Sequence, residues 1–308
     1  MSVDPQRYVD DAQRLIDIGQ VDGAIDRLRM ALTEDPDLGD AHALLALCLL
    51  QKRRLYAAGI ETDLALTLAP EAPFTHWVAA ELNLARRDFA AAERHVDQFR
   101  ALAPDLPSAD RLLARCYSLT GRRAQRLPLL TQALSKDPTD PETLAALASH
   151  HSELGELEQA WRYADEALRA APENTNALVA MGEVLLKRGD IDGAREHAAF
   201  ALRADPSDPS ALGLLTSIKA RTSPLLGLWW RYATWGERVG PTRQVIVLLI
   251  AFVLYRLSTI VATDLGKDGL ANAIVLVWLG IVVYSFAGPT LFRRALQKEL
   301  ASVQLSRF

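Results

Sequence analysis

Six histidines and two cysteines are the residues of this chain best suited to ligate or attack. His150 and His151 are neighbours. Adjacent helical positions point about 100° apart, so the pair cannot easily share a metal. There is no HExxH, no CxxC and no glycine-rich loop after a strand. The reading is therefore no enzyme, no catalytic residue, no metal and no cofactor. What remains is recognition chemistry. Arg111 and Arg115 lie one helical turn apart, and Trp77 and Glu81 repeat that spacing 34 residues earlier. An aromatic surface beside two guanidinium groups suits an acidic or aromatic peptide segment. The competing arrangement is a ladder in which Glu81 pairs with Arg115.

These residues are positioned by a 34-residue period. Proline recurs at 36, 70, 104, 138, 172 and 206. Leu32, Leu66, Leu134, Leu168 and Leu202 stand four residues before it, with Arg100 breaking the series. Small residues fill two columns, Ala12, Ala46, Ala80, Ala114, Ala148 and Gly182, and Ala24, Ala58, Ala92, Ala160 and Ala194. Glycine stands at 19, 121, 155 and 189. The pattern predicts two helices per unit, brought close by small residues, turned by glycine and stopped by proline. One such pair cannot bury its apolar face alone, so pairs must stack. Repeat four departs, because Arg126 replaces the column alanine and Pro128 falls where a helix interior is expected. A late helix start near Arg126 would place Pro128 in the first turn. His42 and His76 share one column, which reads as packing or groove lining. Cys48 and Cys116 share another column two repeats apart, too far to bridge, so both are expected to pack.

These residues resemble the tetratricopeptide repeat family over residues 5–208, in six units. The resemblance implies an all-α right-handed superhelix whose first helices line a concave groove for protein or peptide segments. It places the second, fifth, ninth, twelfth and thirteenth positions of each unit in that groove. Trp77, Glu81, Arg111, Arg115, Ser149 and Glu183 are the groove residues so assigned. The Lys and Asn pattern that some members use to hold a C-terminal carboxylate is absent. Residues 209–221 continue the phase and are expected to cap the array, giving a repeat domain over 1–222.

The tail has another character. Residues 1–208 hold 23 basic and 34 acidic residues, whereas 209–308 hold 11 and 4. A basic, apolar, aromatic tail points to a membrane surface and not to nucleic acid. Residues 223–243 carry Trp229, Trp230 and Trp235 and are expected to form an interfacial amphipathic segment. Residues 244–263 and 269–292 are each long enough to span, joined by five residues, so a transmembrane hairpin is expected over 244–292. Arg256 opposes the first span at about 2.5–3.5 kcal/mol, against roughly 4–7 kcal/mol from its twelve Leu, Ile, Val and Phe side chains. It is expected either to snorkel or to make an intramembrane contact. Seven basic residues flank the hairpin and only Lys267 lies in its loop. Both flanks, including the short tail 293–308, are therefore expected on the cytoplasmic side of a bacterial inner membrane. The expected function is a membrane-anchored interaction scaffold or assembly factor, with protein and lipid as partners and a possible oligomer through the hairpin. The alternative is a subunit of a membrane transport or secretion machine.

Overall fold

The computed structural model describes residues 4–204, 206, 208–222, 241–280 and 282–283, with the backbone alone for 241–248. The chain divides into two compact units, Met1–Ala170 and Ala171–Phe308. The first is five antiparallel helical hairpins. They pair α1 (Pro5–Asp17) with α2 (Val21–Glu34), α3 (Gly39–Gln51) with α4 (Leu55–Leu68), and α5 (Pro73–Arg86) with α6 (Phe89–Leu102). α7 (Pro107–Leu119) follows with α8 (Arg126–Lys136), and α9 (Pro141–Leu154) with α10 (Leu157–Ala170).

The local causes repeat with the period. Proline opens α1, α5, α7 and α9, where its missing amide hydrogen costs nothing. Asp4, Asp88 and Asp140 cap helices by accepting from backbone amides. α2 and α8 each end one residue before an extended residue and then the column proline, at Asp35–Pro36 and Asp137–Pro138. The turn inside each hairpin needs a left-handed residue. Gly19, Gly121 and Gly155 supply it, and Arg53 (φ 57°) and Arg87 (φ 62°) fill the same place in repeats two and three. The six-residue closing bond survives the substitution, from Arg54 N to Leu49 O at 2.9 Å and from Asp88 N to Asn83 O at 2.9 Å.

The alanine columns are the seams between helices. Ala12, Ala24, Ala46, Ala58, Ala80 and Ala92 are fully buried. At repeat four a short 3-10 turn, Arg123–Gln125, precedes α8, so Pro128 sits in the first turn of a late-starting helix as the sequence predicts. Arg126 is buried in the alanine's place and donates to Glu153 at 2.9 Å.

The second unit holds α11 (Thr175–Arg188), α12 (Ile191–Ala204) and α13 (Pro209–Thr222). α13 packs on both α11 and α12. A Cβ on Gly182 would lie 2.4 Å from Leu214, which explains the small residue there. Further on, α14 (Pro241–Asp264) and a returning helix, 268–280, form a tight pair. Gly266 (φ 69°) turns the chain between them. Tyr255 stacks on Trp278 at 4.9 Å, and Thr259 and Ala262 are buried. The apolar side chains Leu249, Phe252, Leu257, Ile260, Leu276 and Leu279 are exposed.

Among the described residues no helix is long and apolar enough to cross a membrane. The expected spans thus stand as a helical hairpin and not as demonstrated crossings. The side chains of α14 are described only from residue 249, and only 13 consecutive residues of the returning helix are described. The expected interfacial tryptophans Trp229, Trp230 and Trp235, residues 284–292 of the second span and the tail 293–308 lie outside the described residues.

Candidate docking groove

Five first helices, α1, α3, α5, α7 and α9, carry the expected groove positions of the first unit. Trp77 on α5 stacks on Phe74 at 5.6 Å with 16° between the rings. It also packs against the cluster formed by Ala43, Ala46, Ala65 and Val78. That fixes one indole face and leaves the side chain half-buried. One turn on, Glu81 accepts two 2.8 Å bonds from Arg115 of α7, a fork-to-fork pair. Arg111 donates to Asp140, which also caps α9 by accepting from Thr143 N at 3.0 Å.

The ladder is therefore the arrangement that forms. Arg111 and Arg115 stand on one face as expected, but each is already matched by a carboxylate of its own array. The cluster has no net charge to offer an acidic segment. Ser149 lies half-buried on α9. Glu183 lies on α11 and belongs to the second unit.

A second feature escaped the sequence reading. A cavity of about 320 Å³ opens among Val9, Asp10, Gln13, Asp40, Leu44 and Phe74, on α1, α3 and α5. Its residues Asp40 and Phe74 stand at the second position of their units, and Asp10 and Leu44 at the sixth, outside the fifth and ninth columns that hold the expected groove residues. Two aspartates beside an aromatic ring suit a cation carried on an apolar stem.

Two of the histidines, His42 and His76, are pins between repeats. His42 reaches the Pro36 carbonyl at 2.9 Å and Glu61 at 2.6 Å. His76 reaches the Pro70 carbonyl at 2.8 Å and His95 at 3.3 Å. Each bonds the carbonyl of the proline that ends the previous repeat, so packing is their role. Burial, then the charges of His76 and Arg94, lowers the His95 pKa below its ordinary 6.5. Burial and then Arg126 act the same way on His150. In repeat four the same column holds Asp110, with no exposed surface. Its oxygens face Arg100 Nε at 2.9 Å and Lys136 Nζ at 2.5 Å, as charge contacts without hydrogen-bond alignment. Arg100, the exception in the leucine column, is thus explained by the exception at Asp110. Cys48 and Cys116 are buried and free, and burial pushes each thiol up to about 11. Among the described residues no group of three or more His, Cys, Asp or Glu side chains is placed to hold a metal.

Comparison with known proteins follows the same lines. Tetratricopeptide-repeat family profiles match residues 9–73 and 160–218. No curated protein matches. Among solved structures, the APC/C hetero-tetramer Cut9–Hcn1 is similar at TM-score 0.57 and 15% identity, covering 70% of this chain and 42% of that one. This chain therefore spans less than half the length of that neighbour. PilW, a type IV pilus biogenesis factor, is similar at TM-score 0.53 and 17% identity, covering 70% of this chain and 100% of that one. PilF of Pseudomonas aeruginosa is similar at TM-score 0.50 and 18% identity, covering 68% and 96%. At these identities the likeness is one of fold. The two profile-matched stretches and the helical hairpins of the first unit are thus similar to tetratricopeptide repeats.

Proposed function

We propose that this chain is a non-catalytic, membrane-tethered docking protein. Its stacked first helices hold a segment of a partner protein, and the pair formed by α14 and the returning helix sits in lipid. The observation that carries the tether is inverted polarity. Thr259 and the Tyr255–Trp278 stack are inside the pair, whereas leucine, isoleucine, valine and phenylalanine cover the outside. A hairpin built for water puts those residues the other way round. α14 has 24 residues, a length of about 36 Å, which exceeds a hydrocarbon core. The basic flanks favour the array and the C-terminal tail on the cytoplasmic side of a bacterial inner membrane. The groove reading rests on the Phe74–Trp77 platform and the adjoining acidic cavity.

Two measurements test this. Full-length protein should float with liposomes and resist alkaline extraction, and Leu254→Asp with Leu276→Asp should release it. Flotation unchanged by those substitutions rejects the tether. A photoreactive residue at position 77 should capture a partner segment, and Trp77→Ala should abolish its retention. Retention indifferent to Trp77→Ala rejects the groove.

One observation favours a role for the hairpin inside a larger membrane assembly. Arg256 is exposed on α14 and has no acidic partner among the described residues. Arg256→Leu should leave flotation intact. If it also removes co-purifying membrane proteins, the hairpin is a contact surface and not only an anchor.

A further inference from the structure

Helix α4 is apolar on both sides. Ala58, Thr62 and Ala65 face the array core, fully buried or nearly so. On the opposite side Tyr56 is 83% exposed, Ile60 47%, Leu64 41% and Leu68 37%. These four recur at every fourth residue and form one ridge of the helix surface. The sister helices do not share it. Where α4 has Tyr56, the other repeats have Asp22, Ala90, Ala124, Glu158 and Asp192. Where it has Ile60, they have Asp26, Arg94, Pro128, Arg162 and Glu196. The period therefore calls for a solvated face, and repeat two alone replaces it with a continuous apolar ridge.

The ends of the ridge carry opposite charges. Arg53 and Arg54 precede the helix, and Glu71 follows it. All three are exposed and make no ion pair among the described residues, whereas neighbouring Lys52 is engaged with Asp22 at 2.7 Å. The pattern reads the same from both ends. Turning a second α4 antiparallel about a point level with Thr62 sets Tyr56 against Leu68, Ile60 against Leu64 and Arg53 against Glu71. We infer that this face is an isologous interface, and that two copies of the chain pair through α4 about a two-fold axis.

Ridges of this class interlock at about −50°, so the contact is short. The four side chains expose on the order of 400 Å² per copy, so two ridges together bury at most about 800 Å², below the roughly 1,200 Å² of stable specific interfaces and in the range of weak, transient ones. Met30, in the place of Leu64 one repeat earlier and also exposed, extends the patch. Asp63 lies exposed beside the ridge and remains in solvent. The result is a weak, concentration-dependent dimer held by a surface separate from the groove and the hairpin, so it stands whether or not those readings hold.

The test uses full-length protein in nanodiscs or mild detergent across a concentration series, with sedimentation equilibrium as the readout. A monomer–dimer equilibrium is expected. Ile60→Asp should weaken it at least about tenfold, because it places a carboxylate against leucine in the pair. Glu71→Arg alone should weaken it, and adding Arg53→Glu should restore it. Tyr56→Cys and Leu68→Cys chains, mixed, should crosslink to each other. Either alone should not, since twelve helical residues separate the two levels by about 18 Å. These positions are exposed, and unchanged helix content verifies folding in each variant. A chain monomeric at every concentration overturns the inference. So does a dimer insensitive to Ile60→Asp, which would be formed through the hairpin. Loss of a different protein or of lipid binding in Ile60→Asp, with no change in self-association, overturns it as well.

Discussion

Asp110 offers the sharpest test of how the array is held together. It has no exposed surface, and its two oxygens face Arg100 and Lys136, whose side chains are 34% and 16% exposed. Asp110→Leu removes the shared carboxylate and leaves two cations. Breaking a fully buried pair costs about 3–5 kcal/mol, because the surviving charge has lost its partner in a poorly solvating place. Here both cations border a cleft of about 460 Å³ and can turn toward water, which cuts the expected loss to roughly 2–3 kcal/mol. Other repeats hold the remedy. At the next junction the same three columns read Leu134, Leu144 and Ala170. Installing that set, as Arg100→Leu, Asp110→Leu and Lys136→Ala together, should return the chain to within about 1 kcal/mol of the parent or above it, since a neutral packed set replaces the ions. The assay is the urea midpoint of full-length chains by far-ultraviolet circular dichroism, compared as midpoints because repeat arrays do not unfold in one step. An Asp110→Leu midpoint equal to the parent's refutes the reasoning. A triple variant no better than Asp110→Leu also refutes it.

Arg87→Gly should raise stability by about 0.5–1 kcal/mol, because glycine adopts the left-handed turn conformation that arginine adopts only at a cost; a lowered thermal midpoint would contradict this. Arg126→Ala should lower it by roughly 2 kcal/mol despite restoring the column alanine, since the Glu153 bond and the buried stem are lost together, and denaturant titration reads the difference. His95, His150 and His197 are held below their ordinary 6.5 chiefly by burial, so the unfolded chain binds the extra protons. Stability should accordingly be constant above that value and fall as pH drops through 6.5 and below, with the slope removed in part by His150→Leu. A midpoint that does not change between neutral and mildly acidic pH would contradict it.

The helical hairpins, their proline stops and the late start of α8 were legible because each follows from a backbone rule read at one position. The glycine column was legible only as far as glycine went. Arg53 and Arg87 hold the same left-handed turn, and no residue-type signal marks an arginine in that conformation. Arg100 was visible as an exception. Its reason was not, since Asp110 stands ten residues on and across a helix–helix seam. In the groove, Arg115 and Glu81 were placed together correctly, but whether two opposite charges meet each other or a partner is decided by side-chain geometry, not by spacing. The apolar ridge of α4 was hidden because a helix apolar on two opposite sides shows no single periodic face to a sequence scan.

The pins between repeats have a consequence for the grammar of the array. His42 and His76 each hook the carbonyl before them, and Asp110 requires an arginine in the preceding unit. Units of equal length are therefore not interchangeable words. Excising residues 107–140 would preserve the period yet bring Arg100 against Leu144, with no carboxylate to receive it. Duplication and deletion, the easiest edits for such a gene, are thus admitted at some joints and resisted at others.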